Sequence, residues 1–216
     1  METIPTITRL GDDALLVTFA HAISWDVGVA VRAAARRVRA MQLHAVTDVV
    51  PAYTTLAIYF DGTQVSFAAM SELIAPLVRA GDASEEGEPA LIEIPVTYDG
   101  VDLADVAART GLGVDEVIDR HTRRTYRAYA SGFQPGFAYL GDLDEALVLP
   151  RRPAPRLRVP RGSVAIAGAQ TGVYPLQTPG GWHLIGTTST VMFDASRNPP
   201  ALIRPGDMVR FTRVDR

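Results

Sequence analysis

The sequence predicts a two-part α+β protein: a small α/β sandwich of ferredoxin-like type over residues 1–85, then an antiparallel β-barrel over residues 90–216. Three observations predict it. Strand and helix periodicities alternate through the first part. The stretch Gly81-Asp82-Ala83-Ser84-Glu85-Glu86-Gly87-Glu88-Pro89 is polar, acidic and built of small residues, the texture of a linker. Between Tyr129 and Gly206 lie ten of the 18 glycines and ten of the 15 prolines, spaced by short β-like runs.

Taken in order, Thr6–Leu10 and Ala14–Phe19 read as strands flanking the turn Gly11-Asp12-Asp13. Ser24 suits an N-cap, and Val27, Val31, Ala34, Val38 and Met41 then recur at helical spacing, with Arg32, Arg36 and Arg39 mostly off that stripe. The β-branched and aromatic runs Val46–Val50 and Thr55–Phe60 predict strands. Phe67, Met70, Ile74 and Leu77 predict a second helix, which Pro76 should kink or shorten. Beyond the linker, Leu91–Tyr98 reads as a strand. Asp102 caps a short helix that runs through Arg109 and stops at Gly111, and Val114–His121 forms another. Short runs at Ser163–Ala167, His183–Gly186, Thr190–Phe193 and Met208–Val214 predict barrel strands, the last entered through the turn Pro205-Gly206-Asp207. No catalytic constellation stands out in the first part, where the apolar stripes are core.

Composition narrows the chemistry. The chain has no cysteine, which excludes disulfides, thiol nucleophiles and zinc–thiolate sites and suits a reducing cytoplasm. All 21 basic residues are arginine, so there is no P-loop lysine, kinase lysine or Schiff base. Met-Glu-Thr-Ile-Pro-Thr-Ile lacks the pattern of a signal peptide, and no apolar run reaches the ~20 residues of a membrane span. Four scattered histidines without an H-x-x-x-H pair predict no protein-bound metal. Charge is uneven: residues 120–161 hold nine arginines against three acids. Guanidinium forks match carboxylate and phosphate oxygens in pairs, so this stretch suits an anionic small molecule, an acidic partner or a solvated face. Net acidity (−3) and the lack of a recognition motif argue against nucleic acid.

Three glycine-rich segments carry the candidate site. The first, Gly132-Phe133-Gln134-Pro135-Gly136-Phe137-Ala138-Tyr139-Leu140-Gly141, mixes permissive backbone with flat apolar walls. The second is Ala167-Gly168-Ala169-Gln170-Thr171-Gly172-Val173-Tyr174-Pro175; the third is Thr178-Pro179-Gly180-Gly181-Trp182-His183. Two readings are open from the residues alone: a ligand-approaching surface, or tight barrel corners with Trp182 and Phe137 plugging the barrel. Trp182 and His183 are neighbours on a strand, so at most one of them faces the interior.

In this order, with His121-Thr122 before them and Pro150-Arg151-Arg152-Pro153-Ala154-Pro155-Arg156-Leu157-Arg158-Val159-Pro160-Arg161-Gly162-Ser163 between them, these segments resemble the KipI / allophanate hydrolase subunit 1 family. The likeness is strong over about 90–212; Ser131 departs from the aliphatic residue usual before the first motif. The resemblance implies a cyclophilin-like barrel and a cytoplasmic, heteromeric enzyme. In that enzyme, 5-oxoprolinase, this chain would be the B component. Together with the A and C components it would open 5-oxo-L-proline to L-glutamate at the expense of ATP. Mg²⁺ would arrive with the nucleotide. The resemblance also leaves two other roles, an inhibitor that binds a sensor histidine kinase and a carboxyltransferase-like part of an allophanate or urea system.

For the lactam reaction the resemblance points to His121, Arg151 and Arg156 as catalytic. His121 is either a proton shuttle or a helix-end histidine held by the dipole. Arg151 and Arg156 hold either phosphate or carboxylate, or a partner protein. Gly132, Phe133, Pro135, Gly136, Phe137, Tyr139, Gln170, Tyr174, Gly180, Gly181 and Trp182 would form the substrate and nucleotide surface.

Overall fold

In a computed structural model the described residues are 5–80 and 88–215. The chain divides into two compact units, Met1–Glu88 and Pro89–Arg216. The acidic stretch expected to link them lies, apart from Glu88 and Pro89, outside the described residues.

The first unit runs β1 (Thr6–Arg9), β2 (Ala14–Thr18), α1 (Trp25–Ala40), β3 (Val46–Pro51), β4 (Thr55–Phe60) and α2 (Phe67–Arg79). Its sheet has the order β1-β2-β4-β3 and is antiparallel throughout. Two helices over one sheet make the expected α/β sandwich. The element order is ββαββα, however, whereas a ferredoxin-like unit runs βαββαβ. The tight Gly11 turn (φ +67°) pairs β1 directly with β2 before any helix intervenes. The Ser24 Oγ accepts the Val27 N–H to cap α1, and Ser66 does the same for Ala69 on α2. Val31, Ala34 and Val38 of α1 and Met70, Ile74 and Val78 of α2 are buried against Leu15, Val17, Leu56 and Ile58. Pro76 does not cut α2 short. The helix continues to Arg79, and Arg37 of α1 donates to the Leu77 and Ala80 carbonyls at 2.7 and 2.9 Å.

The second unit begins with β5 (Leu91–Val96), α3 (Leu103–Thr110) and α4 (Val114–Thr122). There follow β6 (Thr125–Ser131), β7 (Ala138–Gly141), β8 (Arg156–Val159), β9 (Ser163–Ala167), β10 (Gln170–Val173), β11 (Thr178–Gly180), β12 (His183–Thr187) and β13 (Met208–Arg213). Seven strands form a sheet in the order β12-β9-β10-β7-β6-β13-β5. The two ends of that order meet at a bridge in which Thr97 and Thr187 exchange N–H···O bonds of 2.9 and 2.8 Å, so the sheet is a nearly closed barrel. It is mixed, not wholly antiparallel. β13 pairs β5 in parallel from Met208↔Leu91 to Arg213↔Val96, because the whole unit intervenes between these strands and no hairpin constrains their direction. The expected strand at 190–193 is absent except for an isolated Phe193↔Ala201 bridge. β8 and β11 pair only with each other, as a separate ribbon.

Period-two alternation sorts the barrel's side chains into two clusters. Val164 and Ile166 of β9, Val173 of β10, Leu140 of β7 and Ile185 of β12 face inward with Ile94, Tyr126, Val209 and Phe211. Each fully buried large side chain there contributes about 1.5–3 kcal/mol. The alternate residues of the same strands, Ala165, Ala167 and Leu184, lie in a second cluster with Phe137, Val159, Tyr174 and Trp182. β9 is therefore buried on both faces.

Candidate functional site

The second cluster is the place where the three glycine-rich segments meet. It covers the outer face of β7, β10, β9 and β12, which are neighbours in the sheet. Trp182 and Phe137 thus pack outside the barrel and do not plug it, while His183 points to the Ile185 side, with its Nε2 2.9 Å from Pro150 O. The outer strands contribute small residues, so aromatic rings lie flat on them. A Cβ on Gly172 would stand 3.1 Å from Phe137 Cζ and 3.5 Å from the Trp182 ring. Phe137 makes edge-to-face contacts with Phe133, Tyr139, Tyr174 and Trp182 at centroid separations of 5.0–5.5 Å. Such pairs each add about 0.5–1.5 kcal/mol beyond burial.

The first segment is a tight loop at the edge of this face. Gln134 N–H donates to Gly132 O (2.8 Å), Phe137 N–H to Gln134 O (3.0 Å) and Gly132 N–H to Phe137 O (3.2 Å). Gly136 adopts φ +81° with Phe193 and Met192 packed where a Cβ would sit. Phe133 holds φ +68°, a conformation costly for an aromatic residue, and is 58% exposed. Pro135 is exposed beside it. The third segment wraps the Tyr174 hydroxyl. A Cβ on Gly180 would lie 2.4 Å from Tyr174 Oη, so only glycine fits. The Trp182 backbone N–H donates to that hydroxyl, and Gly181 O accepts Arg152 N–H at 2.8 Å. Burial pushes the Tyr174 phenol above its ordinary pKa, against the opposing effects of the Trp182 N–H, Arg151 and Arg156. Tyr174 therefore keeps its proton at neutral pH. Alternation puts Gln170 on the same face as Gly172 and Tyr174, at the far end of β10.

The three residues expected to be catalytic go to three different places. Arg151 is exposed near Tyr174 and has no hydrogen-bond or ion-pair partner among the described residues. Arg156 is held internally. It and Arg152 donate to Asp102 Oδ1, and Asp102 Oδ2 accepts the Leu184 N–H at 2.8 Å. Asp102 stands at the N-terminus of α3 but its side chain caps nothing there, contrary to the sequence expectation. Burial opposes its ionisation, yet the Arg156 and Leu184 hydrogen bonds and the two guanidinium charges prevail and hold its carboxyl below the usual range.

His121 is a core residue. It is 0% exposed and packs on Phe211 and Tyr126 with ring centroids 4.6 and 5.3 Å away. Thr171 spends its hydroxyl hydrogen on Ala165 O (3.0 Å), so Thr171 Oγ1 accepts from His121 Nε2–H (2.9 Å). His121 Nδ1 then accepts from the Tyr98 hydroxyl (2.7 Å). Burial lowers its pKa to about 3, and both nitrogens are engaged, so it is a neutral structural histidine and not an exposed proton shuttle.

The arginine-rich stretch divides the same way. Arg120, Arg123 and Arg124 surround the buried Asp144, whose pKa the Arg123 hydrogen bond and the neighbouring charges lower to about 2. Arg127 lies 3.8 Å from Asp142. With Arg152 and Arg156 on Asp102, the cations left without partners among the described residues in 120–161 are Arg151, Arg158 and Arg161. Asp102 escaped sequence reasoning because an acid before a helix reads as a cap; its role needs β8 and β12 folded beside it. Arg158 had a signal, the i, i+2 pairing with Arg156 on one strand face. Among the described residues no group of His, Cys, Asp or Glu could hold a metal, and no helix is long and apolar enough to cross a membrane.

A family profile described as carboxyltransferase domain, subdomain C and D, matches residues 5–203. A Bacillus subtilis protein, named as the B component of 5-oxoprolinase, is 38% identical over 221 residues, covering 96% of this chain and 92% of its own. An Escherichia coli protein of the same name is 54% identical over 145 residues, covering 65% of this chain and 66% of its own. The crystal structure of TTHA0988 superposes with a TM-score of 0.83 at 39% identity, covering 94% of this chain; this chain spans 40% of that one.

Proposed function

We propose, from the premise that this chain belongs to the family of carboxyltransferase domains, subdomains C and D, that it serves as the B component of an ATP-dependent 5-oxoprolinase. The observation that carries this reading is the 38% identity to a protein of that name, sustained over 96% of this chain and 92% of the relative. The protein acts in a complex with the A and C components, opening 5-oxo-L-proline to L-glutamate.

The reaction demands what the outer barrel face offers. A five-membered lactam is a poor electrophile. Transfer of the γ-phosphoryl group of ATP to the lactam oxygen releases ADP and makes the ring carbon electrophilic. Water adds there, the C–N bond of the tetrahedral adduct breaks as the ring nitrogen takes up a proton to leave an acyl phosphate, and a second water hydrolyses that acyl phosphate to glutamate and inorganic phosphate. Such a course needs donors for anionic oxygens and a wall that excludes bulk water. On this chain Arg151 supplies an exposed cation near Tyr174. The Tyr174 hydroxyl accepts the Trp182 N–H and retains its own proton to donate to a carbonyl or phosphoryl oxygen. Phe133, Phe137, Tyr139 and Trp182 form the apolar wall, and Gly132, Gly136, Gly180 and Gly181 allow close approach. Gln170 orients a polar group at the end of β10. Arg156 positions rather than reacts, since Asp102 holds it. Arginine donors fit nucleotide phosphates; Mg²⁺ comes with ATP without a ligand set from this chain.

Reconstitution tests the reading. The chain, mixed with the C and A components from the same genome, is expected to release glutamate from 5-oxo-L-proline only when ATP is present. Turnover that persists when this chain is left out, or a complete complex that never turns over, refutes it.

A further inference from the structure

Beside the aromatic layer, and sharing Leu184 with it, lies a cavity of about 310 Å³ within the second unit. We propose that it binds a small carboxylate that also carries an N–H donor. Arg156 and Arg158 form one wall, because alternation along β8 places them on the same face while Val159 turns into the aromatic cluster. The two guanidinium groups are prepared differently. Arg156 Nη2 is fixed by Asp102, and its Nη1 is buried without a hydrogen-bond partner. A desolvated donor with no acceptor costs free energy that a bound anion recovers. Arg158 is exposed and has no partner among the described residues, so it is free to close on the same anion. A fixed fork and a mobile one make a clamp suited to two oxygens of one carboxylate.

Asp99 also lines the cavity, and its Oδ1 accepts the Thr187 hydroxyl at 2.8 Å. A carboxylate has about four acceptor sites, so Asp99 also accepts an N–H from the ligand. Its charge disfavours phosphates, which at neutral pH would bring up to about two negative charges against it, more than the single charge of a carboxylate. The floor is closed backbone. A Cβ on Gly100 would lie 2.3 Å from Leu184 O, and one on Gly186 2.7 Å from Thr97 O, so a ligand stops here and does not enter the barrel. The volume is at the lower end of the range of about 300–1,000 Å³ typical of ligand pockets, right for a short amino acid or a five-membered ring acid. 5-Oxo-L-proline, with its carboxylate and lactam N–H, is one molecule of this class.

Isothermal titration of the full chain with four probes tests the proposal: 5-oxo-L-proline, tetrahydrofuran-2-carboxylate, 2-pyrrolidinone and inorganic phosphate. Binding is expected for the two carboxylates, tighter for the one with the N–H, and not for pyrrolidinone. Arg158→Ala should weaken carboxylate binding about tenfold or more, as loss of a charge-assisted hydrogen bond does. Asp99→Ala should remove the advantage of the N–H, so that 5-oxo-L-proline binds no tighter than the tetrahydrofuran acid. Circular dichroism verifies that the variants fold. Unchanged affinity in Arg158→Ala, tighter binding of phosphate than of carboxylate, or no carboxylate binding overturns the site. This outcome is separable from the enzyme assignment: a complex that turns over while the cavity binds nothing refutes only the cavity, and the converse refutes only the assignment.

Discussion

Replacing Asp102 by alanine should cost the second unit about 3–5 kcal/mol, the usual result of removing one partner from a buried ion pair. Its contacts set that magnitude. Asp102 is 3% exposed and its carboxylate accepts from Arg152, Arg156 and the Leu184 N–H, while its own backbone N–H donates to Leu184 O at 2.9 Å. It therefore ties the start of α3 to β12 and to the arginines of and before β8. Alanine leaves the Leu184 amide unsatisfied, at about 1–3 kcal/mol, and strands two guanidinium charges. Those side chains are 31% and 24% exposed, so water solvates part of the freed charge and the lower half of the range is expected. Asparagine keeps one acceptor for Leu184 and should fall between alanine and wild type. The assay is urea unfolding at neutral pH followed by Trp182 fluorescence in a Trp25→Phe background, since Trp182 sits in the layer that Asp102 supports. A loss below about 1 kcal/mol for Asp102→Ala would refute the reasoning, because it would put the residue in the class of ordinary surface positions.

Further outcomes follow from the same geometry. His121 has a folded pKa depressed to about 3 from 6.5, so the unfolded chain takes up a proton first as pH falls. Stability should drop by up to about 1.4 kcal/mol per pH unit through the window between those two values, and His121→Gln should flatten that slope in unfolding curves taken at successive pH values. Asp144, lowered to about 2, adds a further loss as pH falls from its unfolded value toward that number, visible as steeper acid unfolding that Asp144→Asn removes. Gly180→Ala should destabilise by about 1–3 kcal/mol through the clash with Tyr174 Oη, seen as a lowered Tm. Arg151→Ala should lower turnover of the assembled complex while leaving Tm unchanged, whereas Arg156→Ala should lower both, since only Arg156 serves Asp102.

Much of the architecture was legible locally. The Ser24 cap, the apolar stripes of α1 and α2, the Gly111 stop and the strands from β1 to β4 were readable because each depends on residues within one or two turns of one another. The density of glycine and proline beyond Tyr129 announced a barrel, but not the parallel β13–β5 pair, whose partners, such as Met208 and Leu91, come from opposite ends of the unit. The ferredoxin-like label failed for a different reason: the two strands flanking the Gly11 turn were readable before the first helix, and that ββαββα order already departs from βαββαβ. Site residues followed the same divide. Phe137, Tyr174 and Trp182 were recognisable as a set, yet their position outside the barrel was not, because alternation assigns two faces without saying which is the interior.

By itself the sequence determined the chemistry available: arginine as the sole basic side chain, no thiol, three glycine-aromatic segments in a family order, and helices and strands specified by their own periodicity. Tertiary structure alone decided how that chemistry is used. It sank His121 into the core, where desolvation keeps it neutral, bound Arg152 and Arg156 to Asp102, and left Arg151 and Arg158 without partners among the described residues. The physical reason is that a charge or a ring acquires its role from the dielectric and the partners around it, and those come from strands far apart in the chain.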